Sequence, residues 1–183
     1  MRADFSYRGC VMSVSHAIEN YLSVAHVYYQ VLQHNFTASS FDSACSAHVP
    51  ASAVVKAVML RDRHTGEFAM ALIPASNRLK LSWLPSRFAD MQLAQEDEFN
   101  AMFPDCAQGA VPGFGQAFQV DMVWDEELLE PDKLFFEGGD HQALVAIDQF
   151  DFRDLFGRYS HGVISLPNDI YCAYHADELR GVH

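Results

Sequence analysis

Residues 53–73 read AVVKAVMLRDRHTGEFAMALI, and this stretch decides the fold. Ala53 to Arg61 is a run of apolar residues with one internal charge, and Glu67 to Ile73 is a second apolar run. Between them, Arg63-His64-Thr65-Gly66 has the composition of a tight turn. Two such runs joined by a turn predict a β-hairpin. Because both faces of the hairpin are apolar, we expect it to lie at the centre of a sheet.

Short helices and strands are predicted on both sides of this hairpin, whereas Asn77 to Trp83 is ambiguous between an edge strand and a helix entry. The predicted helices cover residues 13–25 with Ser13 as N-cap, Ser39 or Ser40 through His48, 96–103 and 148–156; the predicted strands cover 26–32, 119–123, 134–137 and 144–147. The order lacks a regular strand–helix alternation, and no G-x-G-x-x-G motif opens a helix. The sequence therefore predicts an α+β fold with a mixed, largely antiparallel, barrel-like sheet flanked by helices, and excludes a Rossmann fold.

The length and composition predict one globular domain. The chain has 183 residues, of which 50% are hydrophobic, enough to bury one sizeable core. No apolar run approaches the roughly 18 residues of a membrane span, and charges near the N-terminus argue against a secretory signal, so we expect a cytoplasmic protein. The four cysteines, at positions 10, 45, 106 and 172, form no C-x-x-C pair. We expect reduced, mostly packed thiols and predict no metal site and no cofactor.

The charge is strongly acidic but unevenly distributed. With 12 basic and 24 acidic residues the net charge is −12, which argues against general nucleic-acid binding. Residues 56–87 nevertheless carry six bases and only two acids, whereas residues 90–154 carry sixteen acids and two bases. This asymmetry either presents one cationic face or reflects two solvated surfaces of opposite sign.

Lys56 is the most informative single residue, because it interrupts an apolar strand where an unpaired ammonium is costly to bury. Either a carboxylate pairs with it, or it points into a cavity where an anionic ligand is the partner. Two glycine-rich loops support the alternative of an anionic ligand: the GAVPGFG loop, residues 109–115, and the GGDH loop, residues 138–141. Backbone N–H groups in such loops can bind a phosphate, a carboxylate or an oxyanion. Together these features predict a site for an anionic or ester-bearing ligand.

Two of the nine histidines are candidates for this site, although each could equally be a surface or structurally satisfied histidine. His141 follows two glycines and Asp140, and His34 lies at the end of a predicted strand. Phe36 and Phe114 lie in neighbouring loops and could line a pocket. No G-x-S-x-G nucleophile motif is present, and packing is the favoured role of Cys106.

In this order, the features resemble the YbaK/ProX family of aminoacyl-tRNA editing domains, within the superfamily of prolyl-tRNA synthetase-associated deacylases. The resemblance covers about residues 13–156 and leaves residues 157–183 as an extension of unassigned role, either an added strand or a dimer contact. We accordingly expect an editing domain over residues 1–156. The resemblance rests on the segments SSFDSACSAHVPASAVVKAVML, ALIPASNRLKL, GAVPGFG, VDMVWDEELLEPDKLFFEGGDH and FDFRDLF.

The resemblance implies roles for the residues already singled out. Lys56 would contact the terminal nucleotide or phosphate of the tRNA acceptor end, and the loop beginning at Gly109 would position the aminoacyl ester and the terminal ribose. Water would attack the ester carbonyl without a protein nucleophile, while backbone amides stabilise the oxyanion. The catalytic set is then Lys56, Gly109 and His141, and the substrate-binding set is His34, Phe36, Ala110, Val111, Pro112, Phe114, Gly138, Gly139 and Asp140.

The function implied is that of a trans-acting aminoacyl-tRNA deacylase, with tRNA-Pro carrying a small wrong amino acid as its substrate. Its expected partners are the acceptor end of the tRNA, a cognate aminoacyl-tRNA synthetase and a second copy of the chain. No association with a membrane is expected. The alternative is a non-catalytic module of the same fold that binds an aminoacyl ester, a nucleotide or a protein partner. Turnover of the ester distinguishes the two.

Overall fold

The computed structural model describes residues 14–168. These residues form four α-helices: α1 His16–Val24, α2 Ser40–Ser46, α3 Glu96–Phe99 and α4 Gln149–Phe156. The ten strands of the same residues are β1 Gln30–Gln33, β2 Val54–Asp62, β3 Phe68–Pro74, β4 Asn77–Leu79, β5 Met91–Leu93, β6 Asp121–Asp125, β7 Lys133–Glu137, β8 Ala143–Asp148, β9 Ser160–Gly162 and β10 Ser165–Pro167. The predicted Ser13 cap, Cys10, Cys172 and most of the C-terminal extension lie outside the described residues.

The predicted hairpin is the centre of a large mixed sheet. Its strands run in the order β1-β8-β7-β2-β3-β6-β9, with β5 also paired to β2, while β4 and β10 form a separate antiparallel pair. Strands β2 and β3 are antiparallel, and the β2–β7, β3–β6 and β6–β9 pairs are parallel. The prediction of an α+β fold with a mixed sheet, and of a central hairpin, is confirmed.

The two faces of the sheet bury different clusters, because side chains alternate along each strand. One face carries the largest cluster, in which Val55, Leu72 and Phe136 pack against α1 and α4. The other face carries two smaller clusters, one between Val54 and α2 and one between Leu60 and the segment around Phe88. By alternation, Lys56 lies on this second face, between the two smaller clusters.

A gap in strand pairing occurs along β2. Strand β7 pairs with Val54 and Val55, and β5 begins its pairing at Leu60. Both partners lie on the edge of β2 that faces away from β3, which pairs along nearly the whole strand. Within the described chain, residues 56–58 therefore form no strand pairing on that edge, and Lys56 lies at the opening.

Two of the predicted strands begin more than one residue later than expected, because a left-handed residue precedes each one. The predicted strand 26–32 is observed as β1, since His26 has φ 58° and ends α1, with the N–H of Val27 donating to the carbonyl of Leu22. The predicted strand 119–123 is observed two residues later as β6, since Gln119 has φ 57° and closes a 3₁₀ turn. Sequence composition does not reveal these helix ends, because neither residue is a glycine.

Other expectations are refined in smaller ways. The ambiguous segment 77–83 is both β4 and a short 3₁₀ helix, and the helix predicted over 96–103 continues after α3 as a 3₁₀ turn. Ser39 is the N-cap of α2, as one of the two alternatives predicted. The prediction of packed thiols is wrong for Cys45, which is exposed on α2. None of the helices in the described part of the chain has the length and apolarity needed to cross a bilayer.

Candidate active site

The GAVPGFG and GGDH loops meet in the folded chain. The N–H of Ala107 donates to the carbonyl of Gly139 over 2.7 Å, and Nε2 of His141 lies 2.8 Å from the carbonyl oxygen of Gln108. A Cβ placed on Gly109 would lie 3.7 Å from Cε1 of His141. The GGDH loop thus forms hydrogen bonds with the two residues that precede the GAVPGFG loop, and this brings the two glycine loops next to each other at the end of β7.

All four backbone N–H groups of the GGDH loop have acceptors within the protein. Oε1 of Glu137 accepts from the N–H groups of Gly139, Asp140 and His141, at 2.9, 3.2 and 3.1 Å. The N–H of Gly138 donates to the carbonyl of Ala143. Because these donors are already engaged, the backbone of this loop has no N–H left for a ligand.

The GAVPGFG loop has the opposite property. Its Ala110 N–H closes a turn to the carbonyl of Ala107, but the N–H groups of Gly109, Val111 and Gly113 donate no hydrogen bond within residues 14–168. The loop lies against the first face of the sheet, since a Cβ on Gly113 would be 2.9 Å from Cδ1 of Phe136. Unpaired N–H groups in a shaped loop can stabilise a developing oxyanion.

By the alternation of side chains along β2, Lys56 lies on the opposite face of the sheet from this loop. It forms no ion pair or hydrogen bond within the described chain. Burial lowers the pKa of its ammonium, and the charge of Arg78 lowers this pKa further. The next residue of β7 along the register is Glu137, but its carboxylate is turned into the GGDH loop. No carboxylate pairs with Lys56 within residues 14–168, so of the two alternatives these residues favour an anionic ligand.

The two candidate histidines lie close together in the chain's fold at the GGDH loop: His141 ends the loop, and the backbone of His34 binds the next residue, Gln142. The N–H of His34 donates to the carbonyl of Gln142, and its Nδ1 lies 2.7 Å from the carbonyl oxygen of Asn35. A carbonyl only accepts, so Nδ1 carries the proton, and the buried Nε2 of His34 has no hydrogen-bond partner among residues 14–168. The same reasoning assigns a proton to Nε2 of His141, whose ring lies 5.1 Å from the ring of the exposed Phe36.

Some predicted substrate-binding residues lie away from any surface. Phe114 is fully buried, with its ring 4.4 Å from that of Phe136, so its placement is that of a core residue. Ala110 and Pro112 are also buried. Oδ1 of Asp140 accepts from the N–H groups of Gln142 and Ala143 and thereby shapes the end of the loop.

Sequence reasoning missed Glu137 as a functional candidate. The sequence feature that could have revealed it is a carboxylate directly before two glycines, because this order places the acid within reach of the N–H groups that follow. Cys106 is placed as expected for a packed thiol: a Cβ on Gly139 would lie 3.1 Å from its Sγ. Burial raises the pKa of this thiol to about 12, so it stays protonated near neutral pH and is a poor nucleophile.

Residues 34–155 match the sequence model of the aminoacyl-tRNA editing domain. The chain belongs to this family. The match includes β2 with Lys56, both glycine loops and Glu137, so the candidate site lies wholly inside the editing domain. No curated protein shows significant sequence similarity to the chain.

Solved structures share the fold of this editing domain at low identity. A hypothetical protein is 21% identical with a TM-score of 0.71, covering 82% of this chain and 100% of its own. A proposed trans-editing enzyme for prolyl-tRNA synthetase is 19% identical with a TM-score of 0.69, covering 87% of this chain and 100% of its own. A proposed signal transduction protein from Marinobacter aquaeolei VT8 is 14% identical with a TM-score of 0.65, covering 82% of this chain but 30% of its own.

Proposed function

We propose that this editing domain is a trans-acting deacylase, which hydrolyses the ester bond of a mischarged tRNA, with tRNA-Pro carrying a small wrong amino acid as its preferred substrate. The observation that carries the proposal is the ammonium of Lys56, which is half-buried and unpaired within the described chain, at the gap in β2. Membership of the editing family and the similarity to a proposed trans-editing enzyme support the reaction class.

The acceptor end of the tRNA supplies the anion that Lys56 lacks. A phosphate or terminal nucleotide held there brings the aminoacyl ester to the gap, with the GAVPGFG loop on the other side of β2. Val111 is partly exposed and its N–H donates no hydrogen bond within residues 14–168, so this N–H is the donor we assign to the ester oxygen, with that of Gly109 beside it. Such donors stabilise the tetrahedral intermediate more than the ester, which lowers the barrier.

The reaction needs only water as nucleophile. The water oxygen bonds to the ester carbonyl carbon, the bond from that carbon to the ribose oxygen breaks, and a proton from the water passes to the ribose oxygen. The products are the free amino acid and a tRNA with its terminal hydroxyl restored. The neighbouring hydroxyl and amino groups of the substrate assist this proton transfer, and the protonated Cys106 takes no part as a nucleophile.

The basic segment, residues 56–87, is the proposed contact for tRNA phosphates on an otherwise acidic protein. Two of its six bases are engaged, Arg61 by Glu98 and Arg87 by Asp121. The remaining bases form no ion pair in the described chain: Lys56, Arg63, Arg78 and Lys80. A cognate aminoacyl-tRNA synthetase, acting in the cytoplasm, is the proposed partner that compensates for the net charge of −12.

Deacylation of tRNA-Pro charged with Ala, Cys, Ser or Pro tests the proposal. We expect the parent protein to hydrolyse one mischarged species selectively and the Lys56→Ala variant to lose this activity. Lys133→Ala is the matched control, because Lys133 is also a strand lysine of the same sheet but lies at the opposite end of β7 from the glycine loops. Equal rates for the parent and Lys56→Ala would overturn the proposed role of the lysine.

The same assay tests the alternative of a binding module. A folded protein that binds the charged tRNA and leaves its ester intact, or protects it from spontaneous hydrolysis, would replace the deacylase proposal with ester recognition.

A further inference from the structure

We propose that Glu137 is a positioning residue of the deacylation site, acting as an internal anion that holds the GGDH loop and, through it, the GAVPGFG loop. This inference rests on the proposed function. It assigns a role to a residue that touches neither the substrate nor the reacting atoms.

Glu137 is held by an unusual number of backbone donors. One carboxylate oxygen accepts from three successive N–H groups, those of Gly139, Asp140 and His141. Successive N–H groups that converge in this way form a concave anion site, and bonds to a charged acceptor are stronger than neutral ones. In this chain the anion site is filled by the residue at the end of β7, not by a ligand.

The three bonds hold a backbone shape that is otherwise unfavourable. His141 has φ 63°, a left-handed conformation that is uncommon for residues other than glycine, and Gly139 has φ 117°. Strained residues of this kind persist where surrounding contacts over-determine them, and they cluster at functional sites. Glu137 provides that restraint at the point where the imidazole of His141 leaves the backbone.

The restraint passes from one loop to the other through two further contacts. The carbonyl of Gly139 accepts from Ala107, and Nε2 of His141 donates to the carbonyl of Gln108, the residue before Gly109. A loop that shifts when Glu137 is removed would therefore move the unpaired N–H groups assigned to the ester oxygen. Misplacement of reacting groups by about 1 Å can lower a rate about 100-fold.

The engagement of Glu137 also explains why Lys56 stays available. Val55 of β2 pairs with Phe136 of β7, and Lys56 and Glu137 are the next residues on these two strands. A carboxylate at this place would ordinarily neutralise a neighbouring ammonium. Because three N–H groups draw it into the GGDH loop, the structure contains an acid and a base on adjacent strands without an ion pair between them.

Chemical rescue tests the proposal. Glu137→Ala should lower kcat about 100-fold with a smaller change in KM, and added formate, whose carboxylate can occupy the vacated anion site, should restore much of the loss. Chloride at equal ionic strength should not restore it. Glu137→Gln keeps an acceptor oxygen without the charge and should lose about tenfold. Glu126→Ala is the control, since Glu126 is an exposed acid that contacts His161 away from both loops.

Amide hydrogen exchange separates failure of this proposal from failure of the proposed function. In Glu137→Ala we expect faster exchange at Gly139, Asp140 and His141, slowed again by formate, whether or not the parent deacylates any tRNA. Unchanged exchange at these amides would overturn the restraint. Faster exchange with a kcat equal to that of the parent, or a loss of kcat that formate does not restore, would overturn the positioning role.

Discussion

The GGDH and GAVPGFG loops are both rich in glycine, but the backbone N–H groups of the two loops differ in whether they have acceptors. In the first, every backbone N–H has an acceptor, three of them on Glu137. In the second, Gly109, Val111 and Gly113 donate no hydrogen bond within the described residues. The glycines allow both loops to turn, but the acceptors that surround each loop decide whether its N–H groups support the fold or remain available to a ligand.

This difference has an energetic reason. A partly buried N–H without an acceptor costs about 1–3 kcal/mol, so a fold that keeps such donors unpaired is less stable than it could be. The cost is recovered when a ligand oxygen accepts from them. The GGDH loop makes the opposite contribution, because its charged acceptor stabilises the framework on which the second loop rests.

Replacing single backbone N–H groups by ester oxygens tests most directly whether the N–H groups of the two loops have different roles. At Val111 the replacement should lower kcat about 100- to 1000-fold, because it removes an oxyanion donor. At Asp140, whose N–H only binds Glu137, the same replacement should lower kcat by less than about tenfold. Single-turnover deacylation rates measure both. A larger loss at Asp140 than at Val111 would reverse the assignment of the two loops.

Replacing Lys56 by methionine removes the ammonium and leaves the N–H donors of the GAVPGFG loop in place, so it measures the contribution of the charge alone. We expect kcat/KM to fall about 100-fold, which corresponds to the loss of a strong charge-assisted contact. The melting temperature should stay the same or rise, because burying an unpaired ammonium opposes folding. Calorimetry and deacylation of the same preparation check this. A marked fall in melting temperature would indicate that Lys56 has a structural partner.

Replacing the positive-φ glycine of each loop by alanine compares how much the shape of each loop contributes to the free energy of unfolding. Gly139→Ala should cost about 1–3 kcal/mol in the free energy of unfolding, because Gly139 has φ 117° and its new Cβ would meet Cys106 Sγ at 3.1 Å. Gly109→Ala, at φ 78°, should cost about 1 kcal/mol, because the end of the flexible Glu96 side chain can move aside. Urea unfolding of both variants measures the difference, and the reverse order would contradict it.

The pH dependence of the reaction gives the smallest expected effect. Burial and Arg78 lower the pKa of Lys56, so its ammonium is present below that pKa and is lost at a lower pH than for an ordinary lysine. After subtraction of spontaneous hydrolysis, kcat/KM should fall about tenfold per pH unit above this pKa. Lys56→Arg, which stays charged, should lack this alkaline fall. An identical alkaline profile in both proteins would assign the titration to another group.

Local patterns were sufficient for much of the fold. The central hairpin followed from two apolar runs and a turn, and the cap at Ser39 followed from the hydroxyl before a helical pattern. The starts of β1 and β6 could not be predicted, because His26 and Gln119 adopt left-handed conformations that depend on how the preceding turn closes. Phe114 was placed in a pocket by its neighbours in sequence, but the core around Phe136 buries it.

The sequence by itself determined the hairpin, the strand position of Lys56 and the two glycine loops, because alternation and turn chemistry act over a few residues. Tertiary structure decided which of these parts can meet a ligand. Strand register places Glu137 next to Lys56, but the carboxylate of Glu137 binds the N–H groups of the GGDH loop and not the ammonium. Hydrogen bonds between residues far apart in the chain, such as that from His141 to Gln108, depend on packing that no local pattern records.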